Sequence, residues 1–442
     1  MLKIKKALSL GLLITTVIPS AIMLTSCSNS KEEIFNVDIS DAVKTHYGNQ
    51  IAAKLETNPE SVQRKTMLIT AGAAVNDKSF NQETWGALQV YRKQANITND
   101  DITFRETTLD QDLPKMYDQA MNGGYKTLIL TGFQHSEAFS SWLEKSDNKA
   151  KFIESKAVVV GVDWNGTFIP KGQFFGLGFK SEEASWVVGR AASQYLVQSG
   201  KKQHLSSFGG AEFDGVTDFN NGFLQGMLDW NIANELDATK KVKFYSGDKV
   251  SSTINLATGF DPSAGGAIEQ VASIIGTNDE APQIILPVAG GLVAVAIDNI
   301  KAKKTEQMLI GTDTNQSIAF PQDKNMFFSS IEKKVAMAVY KTIVMLAGIP
   351  LDFVDATISD VNFQGDFVEL KTSAYVKYGF DKGFVGYSKS TLAGENSAKA
   401  DLCLKEAHEL FKKLDLNNYF KPMTDPTKNQ VILDTIIKGI NS

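Results

Sequence analysis

The chain has 442 residues, with 45 Lys and Arg against 50 Asp and Glu, 43% hydrophobic residues and two cysteines. A mildly acidic balance, with neither sign gathered into a long block, excludes nucleic acid as an expected partner. With only Cys27 and Cys403 available, stability must come from burial rather than disulfides, and the length predicts two lobes rather than one core.

Lys3, Lys5 and Lys6 precede an apolar stretch from Ala7 to Leu24, which runs into Thr25-Ser26-Cys27. A charged start, an apolar centre and small residues at the end have the layout of a secretory signal. An uncleaved membrane helix is the competing reading, because the stretch approaches spanning length. Leu24-Thr25-Ser26-Cys27 resembles the lipobox of bacterial lipoproteins, which implies that the Cys27 thiol is acylated, palmitate being the expected lipid, and becomes the new N-terminus. Residues 1–27 are therefore set aside as signal and lipid attachment. Residues 28–64 carry no sustained apolar face and read as a polar tether with one short helix around Ile39 to Tyr47.

From Lys65 onward, short apolar runs alternate with helical patterns. The runs are Met67 to Thr70, Thr127 to Leu130, Ala157 to Val162, Phe174 to Phe179, His204 to Phe208, Val242 to Tyr245, Gln283 to Val288, Met308 to Gly311 and Met326 to Ile331. Continuous apolar strands separated by helices predict βαβ units, hence an α/β chain with parallel sheets covered on both faces. Ser181-Glu182-Glu183 supplies a hydroxyl cap and first-turn acids for a helix that can cross between lobes. The expected division is residues 65–179 plus 313–334 in one doubly wound lobe and 180–312 plus 335–388 in the other. Several crossovers join the lobes, and the strands at Met308 and Met326 lead back toward the first. Residues 389–442 carry Leu402, Leu404, Leu410, Phe411 and Leu414 at helical spacing and form a C-terminal helical extension.

Chemistry-bearing motifs are sparse. His46, His135, His204 and His408 stand apart from one another without a second ligand type at metal spacing, so neither a metal nor a cofactor is expected. Ser330-Ile331-Glu332-Lys333 has the Ser-x-x-Lys spacing of penicillin-binding enzymes, but its companion motifs are missing or misordered. Walker, Gly-x-Ser-x-Gly and Gly-x-Gly-x-x-Gly patterns do not occur.

Polar and aromatic residues do recur just after the predicted strands. Asn76-Asp77-Lys78-Ser79-Phe80-Asn81-Gln82 follows the first strand and opens a helical pattern through Trp85, Leu88 and Tyr91. An aromatic ring among amides, a carboxylate and helix N–H groups suits a flat polar ligand, and it equally suits a capped loop whose Phe80 packs inward. Gly132-Phe133-Gln134, Asp163-Trp164-Asn165, Gly209-Gly210, Gly259-Phe260-Asp261-Pro262, Gly290-Gly291 and Thr312 to Gln316 sit at comparable places. Each alone is ordinary turn chemistry. Their recurrence in both lobes predicts a shared cleft at the strand ends.

Together these motifs resemble the basic membrane protein family, the purine-nucleoside-binding lipoproteins of bacterial import systems. The first loop carries the specific match. Gly161-Val162-Asp163, Phe219-x-x-Gly222-Phe223, Phe260-Asp261-Pro262, Gly290-Gly291, Gly311 to Gln316 and Ser330-x-x-Lys333 support it, between Lys65 and Tyr387. The resemblance implies a type I periplasmic-binding-protein fold and a ligand site at Asn76, Asp77, Phe80, Asn81, Asp163, Phe260, Gly290, Asp313 and Lys333. Phe80 and Phe260 would sandwich a purine, Asn81 and Asp163 would bond the base, and Asp313 with Lys333 would address the ribose. It implies a monomer, anchored to the outer face of the cell membrane, that binds a nucleoside, delivers it to an ABC permease and catalyses nothing. Ala71 and Asn315 depart from the pattern, each standing where the family commonly has an aspartate. A surface adhesin that keeps the fold, a binder of another small ligand such as a sugar, and a nucleoside-cleaving enzyme are the alternatives.

Overall fold

The computed structural model of the chain describes residues 35–107, 109–351, 361–364, 367–370 and 373–442. The expected signal segment, the acylated Cys27 and residues 28–34 of the tether lie outside the described residues. All nine predicted runs form strands, as part of two sheets among the described residues. The first sheet contains β1 (Thr66–Thr70), β2 (Ile102–Arg105), β3 (Thr127–Thr131), β4 (Val158–Val162) and β5 (Phe174–Phe179). The second contains β6 (His204–Gly209), β7 (Lys243–Ser246), β8 (Lys249–Val250), β9 (Ile284–Val288), β10 (Met308–Asp313) and β11 (Phe327–Lys333). After a separate hairpin, β12 (Val361–Gln364) with β13 (Phe367–Leu370), the chain adds β14 (Ala374–Tyr378) beside β5 and β15 (Val385–Tyr387) beside β11.

Strand order is β14-β5-β4-β3-β1-β2 in the first sheet and β15-β11-β10-β9-β6-β7-β8 in the second. Every pairing in the first sheet is parallel, and only β8 and β15 run antiparallel in the second. Side-chain alternation explains why the runs are apolar throughout. Leu68 and Ile129 point into one core layer, while Met67, Ile69, Leu128 and Leu130 point into the other, against Tyr117, Phe139 and Trp142. In the second sheet Ile284, Leu286 and Ile310 face one layer, and Ile285 and Leu309 face the opposite one.

The lobe assignment of the late segments is corrected by the strand pairings. β10 and β11 run parallel from Leu309↔Phe327 to Asp313↔Glu332, so residues 313–334 stay in the second lobe. The helix Val335–Leu346 then packs on the first lobe, where Tyr340 Oη donates to Gln94 Oε1 at 2.6 Å, and β14 extends the first sheet. An apolar run says that a strand is covered on both faces; it carries no mark of which sheet it joins. The crossings lie at Lys180, at Lys334 and between β14 and β15, and they are bonded to one another. Lys180 N–H donates to Tyr378 O at 2.9 Å and Lys334 N–H donates to Phe384 O at 2.8 Å.

The tether expectation is also corrected for its described part. Asp41–Thr57 is a helix whose Ser40 accepts from Val43 N–H, and its Tyr47 and Ile51 are buried against the first lobe. Its apolar stripe is narrow because polar contacts do part of the docking, such as Gln94 Nε2 donating to Lys44 O at 2.8 Å. The C-terminal helices Glu395–Phe411 and Pro426–Asn441 lie on the helices Ser181–Gln198 and Asp214–Ala233. Gln194 donates to Glu406 at 2.5 Å and Asn231 Nδ2 donates to Ile440 O at 2.9 Å, so the extension is built into the second lobe.

Candidate functional site

The loop after β1 is organised by Asp77. Its carboxylate accepts backbone N–H groups of Ser79 at 2.8 Å, Asn81 at 3.0 Å and Gln82 at 3.1 Å. These are free donors at the start of the Phe80–Gln94 helix, so Asp77 caps that helix. Burial pushes its carboxyl up to about 6 against these three bonds. Asn81 is equally occupied: Thr131 Oγ1 donates to its Oδ1 at 2.8 Å, and its Nδ2 lies 3.5 Å from the carbonyls of Ala73 and Ala74. The amide that the resemblance gives to a base is thus engaged in holding the loop to β3. Between these two residues Phe80 is half-buried, packed on the core along one edge.

Asp163 follows β4 and Asp313 ends β10, and each sits in the left-handed region, at φ 71° and 64°. Such a backbone is unfavourable for a non-glycine residue by about 1–2 kcal/mol and clusters at functional sites. Both acids converge on Lys333 at the end of β11. Lys333 Nζ lies 2.5 Å from Asp163 Oδ2 and 3.7 Å from Asp313 Oδ1, and it donates to Gly215 O at 2.9 Å. Ser79 Oγ donates to the other Asp313 oxygen at 3.0 Å. Burial works against the Lys333 charge, yet the two carboxylates outweigh it and hold the amine above its ordinary value. Burial raises the Asp313 carboxyl, with Lys333 pulling the other way. The ammonium also sits over Phe219, Phe80 and Phe179, at 4.9, 5.6 and 5.9 Å from their centroids. Ser330 does not join this cluster: its Oγ accepts Gln316 N–H at 3.1 Å.

These residues surround a cavity of about 460 Å³ between the carboxyl ends of the two sheets. It opens where β1 parts from β3 and β6 parts from β9, the points at which doubly wound sheets reverse their winding and hold ligands. Asn76, Asp77, Phe80, Asn81, Asp163, Phe260, Gly290, Asp313 and Lys333 all line it. Among the lining residues that the sequence reading left out of the site are Phe133 and Gln134 from the first lobe and Phe213 from the second. Phe133 stacks on Phe213 at 3.7 Å and 26°, closing aromatic contact across the cleft, and Phe260 lies 6.3 Å from Phe133. Phe133 and Gln134 stood in a recognised strand-end triplet. Phe213 gave no sign, because its loop carries no pattern beyond the preceding glycines.

Four carboxylates, Asp77, Asp163, Asp261 and Asp313, line the cavity against two lysines, Lys78 and Lys333, so acidic groups outnumber cations. Such a lining suits hydroxyl donors and disfavours a phosphate. Rings from both lobes supply flat apolar walls.

Residues 64–255 match the family described as Bmp, ABC transporter substrate-binding protein PnrA-like. The ABC transporter nucleoside-binding protein BmpA of Lactococcus lactis is 24% identical over 280 residues, covering 62% of this chain and 69% of that protein. The CD4+ T-cell-stimulating antigen of Listeria monocytogenes is 20% identical over 397 residues, covering 87% of this chain and 91% of its own. Among solved structures, a solute-binding protein of an ABC transporter system from Aeropyrum pernix superposes with a TM-score of 0.55 at 17% identity, over 85% of this chain and 91% of that one. That likeness establishes the periplasmic solute-binding fold.

Proposed function

We propose, from the match of residues 64–255 to the Bmp family of PnrA-like ABC-transporter substrate-binding proteins, that the cleft captures a nucleoside, a purine nucleoside by preference, and passes it to an ABC permease. The observation that carries this reading is the single cavity bounded by Phe80 and Phe260 from opposite lobes, with Asp163, Asp313 and Lys333 gathered at its floor. The rings offer stacking, worth on the order of 1–3 kcal/mol per base. The acid and lysine groups offer partners for two sugar hydroxyls, and a ligand without those hydroxyls would leave them buried and unpaired. The name of the Lactococcus lactis relative supports a nucleoside over a sugar.

Mechanism is lobe closure: the ligand bridges the sheets, and the three bonded crossings act as the hinge. Asp163 and Asp313 are tied to Lys333, and no catalytic role is assigned to them. Leu24-Thr25-Ser26-Cys27 supports anchoring through acylated Cys27 at the outer face of the cytoplasmic membrane, where a monomer would meet its permease.

Phe80→Ala and Phe260→Ala are each expected to weaken nucleoside affinity by about tenfold or more, in line with the loss of one stacking face. Calorimetric titration of the two variants checks this. Affinities equal to that of the unaltered protein would contradict the stacking role.

A further inference from the structure

Most polar side chains in the first-lobe wall of the cavity are committed. Thr131 and Asn81 bond each other, Asp77 is occupied by backbone N–H groups, and Ala71 brings no polar atom. Gln134 lines the same space, and among the described residues nothing bonds its side-chain amide.

The surroundings of that amide are specific. Gly72, at φ +76°, and Gly132, at φ +108°, flank it, and a Cβ on either would lie 2.7 Å from Nε2 or 2.8 Å from Oε1. Two glycines in a conformation that disfavours other residues therefore make the slot in which the amide lies. Its backbone is fixed from beneath by the next residue. His135 is fully buried, with Nε2 3.0 Å from Ile69 O and Nδ1 2.7 Å from Tyr117 Oη, so the ring donates to the carbonyl and accepts from the phenol. Burial lowers its pKa to about 3, so the ring stays neutral and this clamp holds throughout the physiological range.

Resting on the nucleoside reading, we infer that Gln134 determines base specificity by pairing its amide with the edge of the purine. An amide presents one donor and one acceptor side by side. It matches the N6–H and ring-nitrogen edge of adenine and, turned end for end, the N1–H and O6 edge of a 6-oxopurine. A carboxylate in the same slot would only accept; it would match the two donors of guanine, N1–H and N2–H₂, and oppose the ring nitrogen of adenine. The site of this chain is therefore tolerant of both 6-amino and 6-oxo purines.

The test is calorimetric titration of the full chain and of Gln134→Glu and Gln134→Leu with adenosine and guanosine. The unaltered protein is expected to bind both within about tenfold of each other. Gln134→Glu should lose adenosine by about tenfold or more and keep guanosine, and Gln134→Leu should weaken both. A glutamate variant that treats the two nucleosides as the unaltered protein does overturns the inference while leaving the nucleoside reading intact, as does an unaltered protein that prefers one base by more than about 100-fold. Failure of both nucleosides to bind the unaltered protein overturns the nucleoside reading and this inference together.

Discussion

Replacing Lys333 with methionine is expected to lower nucleoside affinity by about 100-fold or more, the scale of two lost hydrogen bonds to a charged group. Lys333 is the cation that Asp163 and Asp313 share at the cavity floor, and its side chain is only 2% exposed. Methionine keeps most of the volume and removes the charge. Asp163, 2.5 Å away, and Asp313, 3.7 Å away, would then face each other without a counter-charge. The Asp313 carboxyl, which burial already raises against the pull of Lys333, should rise further, so the hydroxyl-accepting surface changes its character as well as losing a donor. Affinity within threefold of the unaltered protein, in a sample with an unchanged circular dichroism spectrum, would remove Lys333 from the binding site.

Lys377→Met is expected to destabilise the fold by about 3 kcal/mol or more at about pH 8, the cost of leaving a buried charge unpaired. Lys377 lies on β14 of the first sheet and reaches Asp218 on the Asp214–Ala233 helix of the second lobe at 2.5 Å, so the pair spans the hinge. Burial, then the Glu182 charge, push the Asp218 carboxyl up to about 7 even with Lys377 beside it, and burial pushes Asp214 up to about 6. Without the lysine these carboxyls rise further. A carboxyl raised in the folded state favours folding at low pH, and that contribution is lost as pH climbs through its folded pKa. The deficit of the variant should therefore be largest near pH 8 and shrink toward about pH 5.5 as the acids take up protons. Chemical denaturation at both pH values measures it. A deficit that does not change with pH would show that the pair is not the source of the loss.

The sequence carried more of the sheets than of their arrangement. β1, β3, β4 and β5 were legible because a strand covered on both faces is apolar at every position, as Val158 to Val162 is. β14 was not. Ala374–Tyr378 is a half-exposed edge strand with Lys377 in it, and an edge needs only one covered side. Misplacing β11 had the same root, since its pairing with β10 is made by backbone groups that every residue possesses.

At the site, the acids and Lys333 were readable as motifs, and the structure brings them together from strands far apart in the chain. Their division of labour was less visible. Asp77 and Asn81 stand in the most specific motif of the sequence, yet the structure engages them in capping a helix and holding the loop to β3. Gln134 had the reverse history. Nothing in its residue type distinguishes it from any other helix-start glutamine, and only the glycines on either side, brought close by the parallel pairing of β1 and β3, set it apart.

Calorimetric titration of the purified chain, stripped of any carried-over small molecule by unfolding and refolding, with adenosine, guanosine, free ribose and glucose tests the central claim most directly. The account predicts a dissociation constant of about a micromolar or tighter for at least one purine nucleoside, with ribose and glucose weaker by about 1,000-fold or more. A protein that binds no nucleoside more tightly than about a millimolar, or that binds a sugar better than any nucleoside, would contradict it.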